Sequence, residues 1–141
     1  MENERYDYGL LDNISDKYLQ LRKAIEEMWN SAYNIAITNS EWQILSLIYG
    51  KKPAIAEITK KVDISRQATH KNIKLLHSKG LIAIHNVENN NKKKYLELTP
   101  FGEACYMDSK LMKESIEKEI ITKIGPENAE ILKNILQMDW N

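Results

Sequence analysis

Within ten consecutive positions the chain gathers Ser65, Arg66, Gln67, His70, Lys71 and Lys74. Every one of these side chains can donate a hydrogen bond. The types suit base edges and phosphates. Glutamine can pair bidentately with adenine, and histidine or lysine can donate to the acceptors of guanine. Arg66 and Lys74, toward the edges of the group, suit phosphate oxygens, and the Ser65 hydroxyl can bind one at a helix start. Further along, Lys92, Lys93 and Lys94 follow Asn89-Asn90-Asn91. Lysine is a compact point charge, and this cluster is expected to grip phosphates. Taken singly, Gln67 could be a solvated first-turn residue, and each lysine could be ordinary surface. Their clustering favours polyanion recognition.

Catalytic and metal chemistry have much thinner support. Only five glycines occur, with no glycine-rich phosphate loop, no paired carboxylates near a histidine and no serine elbow. No enzyme activity and no cofactor are expected. His70 and His77 share a helical face, but two turns separate them by about 10 Å, too far for one metal ion. His85 falls in a strand pattern, so no metal site is assigned. Cys105 is the single cysteine and cannot form an internal disulfide. A small buried core residue is the favoured reading for it, with a redox-sensing thiol as the alternative. Trp29, Tyr33, Trp42 and Tyr49 could line a ligand cleft, although aromatics at helical spacing are more often core.

The elements that must position these groups are legible in the periodicity. Leu10, Leu11, Ile14, Tyr18, Leu21, Ile25, Met28, Trp29 and Ala32 predict a long amphipathic helix over residues 9–33. Ser40 is expected to cap a helix over 41–49, with Trp42, Leu45, Ile48 and Tyr49 on its apolar face. Residues 51–53 read as a linker. A helix over 55–62, a turn at 63–64 and a helix over 66–78 capped by Ser65 form a helix-turn-helix. On the second of these helices Thr69, Ile73 and Leu76, with Leu75 beside them, are expected to pack inward. Strands over 81–85 and 95–98, joined by a basic tip at 88–94, make a wing. Thr99 and Pro100 open another long helix. Gly125-Pro126 breaks it before a last helix through residue 138.

The fold class expected is mostly α with a small β-wing. It is a winged helix-turn-helix (38–99) flanked by N-terminal (1–37) and C-terminal (100–141) helices, forming one structural domain overall. The net charge of zero hides a segregation. Residues 60–94 hold nine lysines and arginines against Asp63 and Glu88, while both flanks are acidic. A basic segment that coincides with the helix-turn-helix is what phosphate binding needs. The apolar faces of the terminal helices exceed what so small a core can bury, which predicts a homodimer built from them. No run of apolar residues is long enough for a membrane span, and the charged start lacks a signal-peptide core. A cytoplasmic, nucleoid-associated protein is expected.

The strings TNSEWQILSLI, AEITKKVDISRQATHKNIKLLHSKGLI and KKKYLELTPFGE give the stretch 38–102 a resemblance to the MarR family of bacterial winged-helix transcriptional regulators. The long first helix and two closing helices match that family in order. The resemblance implies a symmetric dimer whose recognition helices enter successive major grooves of a pseudo-palindromic operator. It also implies control by a small-molecule effector. Members commonly carry an Asp and Arg pair at the wing tip. Here the tip is Asn89-Asn90-Asn91-Lys92-Lys93-Lys94, which keeps charge but lacks the guanidinium fork. Sequence reading is therefore expected to fall to Gln67, His70 and Lys71, in a repressor released by its ligand. Two alternatives stay open: a winged helix that docks a protein partner, and a redox-sensing regulator acting through Cys105.

Overall fold

The computed structural model describes residues 8–88 and 90–141, with Asn90, Asn91 and Lys92 described by their backbone alone. Six helices and one hairpin follow in the order α1 (Leu10–Ala32), α2 (Asn39–Ile48), α3 (Ile55–Lys61), α4 (Arg66–Ser78), β1 (Ile82–Val87), β2 (Asn90–Leu98), α5 (Pro100–Ile124) and α6 (Pro126–Gln137). The chain forms two units. One is Ile35–Lys110; the other comprises the residues up to Asn34 together with Leu111–Asn141, so α5 runs from the first into the second.

The Ile35–Lys110 unit is built around Ile44, Leu45, Ile48, Ile58, Ile73, Leu76, Leu81, Ile82 and Leu96, all essentially buried. Three of its helix starts, those of α2, α4 and α5, are fixed by side chains. α2 begins at Thr38, not at Ser40 as the sequence suggested. The Thr38 hydroxyl accepts from the Glu41 amide at 3.2 Å, and the Glu41 carboxylate accepts from the Thr38 amide at 3.1 Å. This reciprocal capping box satisfies two otherwise orphaned donors, which a lone serine cap would not do. The buried face of α2 is accordingly Glu41, Ile44, Leu45 and Ile48; Trp42 and Tyr49 are only half-buried. At α5, Thr99 accepts from the Gly102 amide at 2.9 Å and donates to the Gly80 carbonyl at 2.6 Å, which ties the helix start to the end of α4.

The hairpin is longer than the periodicity indicated. Ile82 pairs with Leu98, Ile84 with Leu96 and His85 with Tyr95, and pairing continues to Val87 opposite Asn90. Asn90 and Asn91, expected as loop, are thus strand backbone on the β2 side, while Asn89 lies outside the described residues. A register shift after Asn86, which pairs with Lys94, leaves extra residues on β2, a bulge that bends the tip. The expected linker also joins the sheet. The Leu96 amide donates to the Pro53 carbonyl at 2.8 Å, and Ala54 bridges Tyr95. Backbone donors of a half-buried strand need partners, and this segment supplies one.

In the other unit α1 buries only Trp29, and α6 buries no residue. Trp29 and Tyr33 stack with ring centroids 4.0 Å apart and planes 6° from parallel. The apolar stripes read from the sequence are largely open to solvent in the single chain. Leu10, Leu11, Tyr18, Leu111, Leu132, Leu136 and Met138 are all exposed. Gly125 turns the chain between α5 and α6 with φ of 93°, a conformation that favours glycine.

Candidate nucleic-acid interface

Helix α4 is positioned from its first residue. Ser65, in extended conformation, accepts from the Ala68 amide at 3.1 Å and caps it as the sequence indicated. Thr69 points inward without cost, because its hydroxyl donates to the Ser65 carbonyl at 2.9 Å. Thr69, Ile73 and Leu76 are buried and anchor the helix to the lobe. Rotation by 100° per residue then forces the polar positions outward. Ser65, Arg66, Gln67, Lys71 and Lys74 are exposed, and His70 is half-buried.

Gln67, His70, Lys71 and Lys74, with Leu75 and Ser78, line an open groove of about 700 Å³ along this face. Four of the residues singled out for base or phosphate contact therefore share one surface. Leu75 departs from expectation. Helical periodicity places it beside the inward stripe, but it is 39% exposed and lies among the polar groups. Ile73 and Leu76 already fill the buried side, leaving Leu75 on the flank.

On the wing, Lys93 and Lys94 are exposed on β2. The side chain of Lys92, the third predicted phosphate contact of that cluster, lies outside the described residues. At the base of the wing the Glu97 carboxylate has two nitrogen neighbours. Lys52 Nζ lies 3.5 Å from its Oε1, and His85 Nε2 lies 3.1 Å from its Oε2. The His85 nitrogen is buried but not aligned for a hydrogen bond there, and the imidazole stacks on Tyr95 at 4.9 Å.

One of the basic residues counted in the 60–94 segment does not serve the surface. Lys79 turns inward and donates to both carboxylate oxygens of Glu41 and to the Ala36 carbonyl, at 2.7 to 2.8 Å. Sequence reading missed this pair. The Thr38-to-Glu41 spacing, a capping-box signature, could have revealed the Glu41 half of it.

The four aromatic candidates for a ligand cleft divide between the units. Trp29 and Tyr33 lie in the terminal-helix unit, Trp42 and Tyr49 in the lobe. Tyr49 packs on Tyr106 at 4.6 Å, donates toward Met107 Sδ at 3.0 Å and lies 5.5 Å from the Lys110 ammonium. Cys105 is fully buried. Burial pushes its thiol above the ordinary value, and the nearby Asp108 carboxylate pushes it further. Both effects disfavour the thiolate that redox sensing needs, which favours the core reading of Cys105 over the thiol alternative. Among the described residues no cluster of three or more His, Cys, Asp or Glu could hold a metal, and no helix is long and apolar enough to cross a membrane.

Residues 37–89 match the model of the MarR family. An uncharacterized HTH-type transcriptional regulator, YdgJ of Bacillus subtilis, is 28% identical over 101 residues. That match takes in 71% of this chain and 62% of the relative, so the chain spans less than two thirds of the relative's length. Two solved structures share the fold. One is the transcriptional repressor CouR bound to a 23-mer DNA duplex (17% identity, TM-score 0.79, covering 96% of this chain and 95% of that one). The other is NadR in complex with 4-hydroxyphenylacetate (20% identity, TM-score 0.63, covering 96% and 94%).

Proposed function

We propose that this chain, a MarR-family winged-helix protein, is a transcriptional regulator that binds double-stranded DNA in sequence-specific fashion as a homodimer, acts as a repressor and is released by a small-molecule effector. The observation that carries the DNA-binding reading is the outward face of α4. Gln67, His70, Lys71 and Lys74 converge there on one open groove while the opposite stripe anchors the helix. In this reading Gln67, His70 and Lys71 read bases. Ser65, Arg66, Lys74 and the wing lysines Lys92, Lys93 and Lys94 hold phosphates. CouR, which shares the fold, is described as a repressor bound to DNA, and this favours the same role here.

Dimerisation is supported by the unburied apolar stripes of α1 and α6. The segments 1–37 and 100–141 would form the dimer and 38–99 the DNA-binding lobe, in a cytoplasmic protein. Two lobes related by a two-fold axis would require half-sites about 10 base pairs apart. For the effector, the support is the small aromatic acid bound by NadR and the aromatic residues Trp29, Tyr33, Trp42 and Tyr49 of this chain.

The test is fluorescence anisotropy with a duplex from the DNA upstream of the gene and a shuffled duplex of equal length. The upstream duplex should bind more tightly at moderate salt, and Lys71→Glu should abolish the difference. Equal affinity for both duplexes would refute sequence-specific regulation. The docking alternative calls for an apolar patch on α4, whereas the side chains lining that groove, Leu75 apart, end in polar or charged groups: Gln67, His70, Lys71, Lys74 and Ser78.

A further inference from the structure

Leu75 is out of place on the face it occupies. It shares the α4 groove with Gln67, His70, Lys71 and Lys74. Among the described residues between Ile55 and Thr99 it is the one large apolar side chain left exposed, at 39%. Ile73 and Leu76 on the same helix, at most 2% exposed, fill the buried side of the lobe, and Leu75 is left on its flank. Gln67, Lys71 and Leu75 follow at four-residue steps, so they rise along one flank of the helix. Gln67 and Leu75 are about 12 Å apart along the axis, the rise of some three to four base pairs.

We infer that Leu75 is a specificity-determining residue that reads the 5-methyl group of a thymine in the major groove. The inference rests on the DNA-binding reading of this face and deepens it. The surrounding groups are donors and cations, which fit nucleic acid and would repel a greasy protein partner. On the major-groove edges of the four base pairs the thymine methyl is the apolar group. Contact between it and the leucine removes apolar surface on both sides from water, whereas a cytosine at the same place has only a hydrogen on C5 and turns its neighbouring N4 amine, a donor the leucine cannot accept, to the groove. The operator should therefore carry, in each half-site, one thymine displaced by some three to four base pairs from the position read by Gln67.

The experiment uses the intact chain and its selected operator. Each thymine is replaced in turn by deoxyuridine, which deletes only the methyl group and keeps the base pairing. For the wild-type protein, one thymine per half-site should weaken binding about three- to fivefold when replaced, the effect of one methyl-sized contact. In Leu75→Ala that same replacement should have no effect, while replacing the adenine read by Gln67 still weakens binding. Because Leu75 is exposed, Leu75→Ala should melt within a few degrees of wild type, which keeps the comparison interpretable.

Tight, selective binding with no thymine whose methyl is coupled to Leu75 would overturn the inference and leave the DNA-binding reading standing. A Leu75→Ala variant that shifts the monomer–dimer equilibrium and keeps its thymine sensitivity would overturn it too, assigning Leu75 to a second copy of the chain. Absence of any duplex preference in the wild-type protein would overturn both readings.

Discussion

Lys79 Nζ sits 2.7 Å from Glu41 Oε2, and the Glu41 carboxylate is fully buried. The same ammonium donates to the Ala36 carbonyl, and the same carboxylate accepts from the Thr38 amide. The C-cap of α4 is thereby tied to the N-terminal turn of α2 and to the segment that enters the lobe. A buried carboxylate needs hydrogen-bonded partners, and here the Lys79 ammonium and the Thr38 amide supply three hydrogen bonds from two stretches of chain.

Removing Lys79 should therefore cost far more than an average surface lysine. Lys79→Met leaves Glu41 buried and unpaired, and a loss of about 3–5 kcal/mol is expected. The double variant Glu41→Gln with Lys79→Met removes both charges and should recover a large part of that loss. Urea unfolding of the four proteins closes the cycle. Additive effects would show that the two groups do not act together.

Gly102 should tolerate no side chain. A Cβ there would run into the Leu81 carbonyl. That carbonyl already accepts from the Thr99 amide at 3.1 Å, so the strand entry cannot move away freely. Gly102→Ala is expected to destabilise by about 1–3 kcal/mol or more, as overpacking against backbone does. Gly50→Ala, with nothing near its Cβ position but a φ of 71°, probes backbone strain alone and makes a useful contrast.

Cys105 should be chemically quiet and should shape the alkaline limb of stability. Its thiol is held above the ordinary 9.0 by burial first and by Asp108 second. The folded state then keeps its proton to higher pH than the unfolded chain does. The stabilisation is fully present below pH 9.0 and is lost as pH rises through the raised value. Cys105→Ala should flatten the decline in urea midpoint above that pH. Alkylation of the native protein should be slow and should accelerate on unfolding; rapid labelling of the folded protein would contradict the buried placement.

Base and phosphate contacts should separate by salt. Gln67→Ala is expected to lose about 1–3 kcal/mol on the preferred site and to relax discrimination at one position. Lys94→Ala should weaken all duplexes alike and lower the slope of log K against log salt by about 0.9. Titrations at several salt concentrations distinguish the two. Identical behaviour of both variants would mean that the base and phosphate roles are wrongly assigned.

Much of the fold was written locally. The caps Ser65 and Thr99 and the break at Gly125-Pro126 are decided by residues in contact along the chain, and all lie where the sequence indicated. The inward stripe Thr69, Ile73 and Leu76 follows from helical periodicity, and so does the outward display of Gln67, Lys71 and Lys74. Capping and periodicity are short-range, so a single sequence carries them.

Other features depended on what comes from far along the chain. Leu75 has the same hydrophobicity as Leu76, and only the shape of the lobe leaves one exposed and the other buried. Lys79 counts as one more surface cation until Glu41, 38 residues earlier, captures it. Pro53 reads as linker until its carbonyl accepts from the Leu96 amide. Asn90 belongs to the tip expected as loop, yet cross-strand pairing with Val87 makes it strand. The sequence by itself determined the helices, their caps, the basic face and the wing, because neighbouring residues settle these. Tertiary structure alone decided which apolar side chain stays in the groove, which lysine is withdrawn from it and where the sheet ends, because packing and backbone pairing are set by partners that local periodicity does not contain.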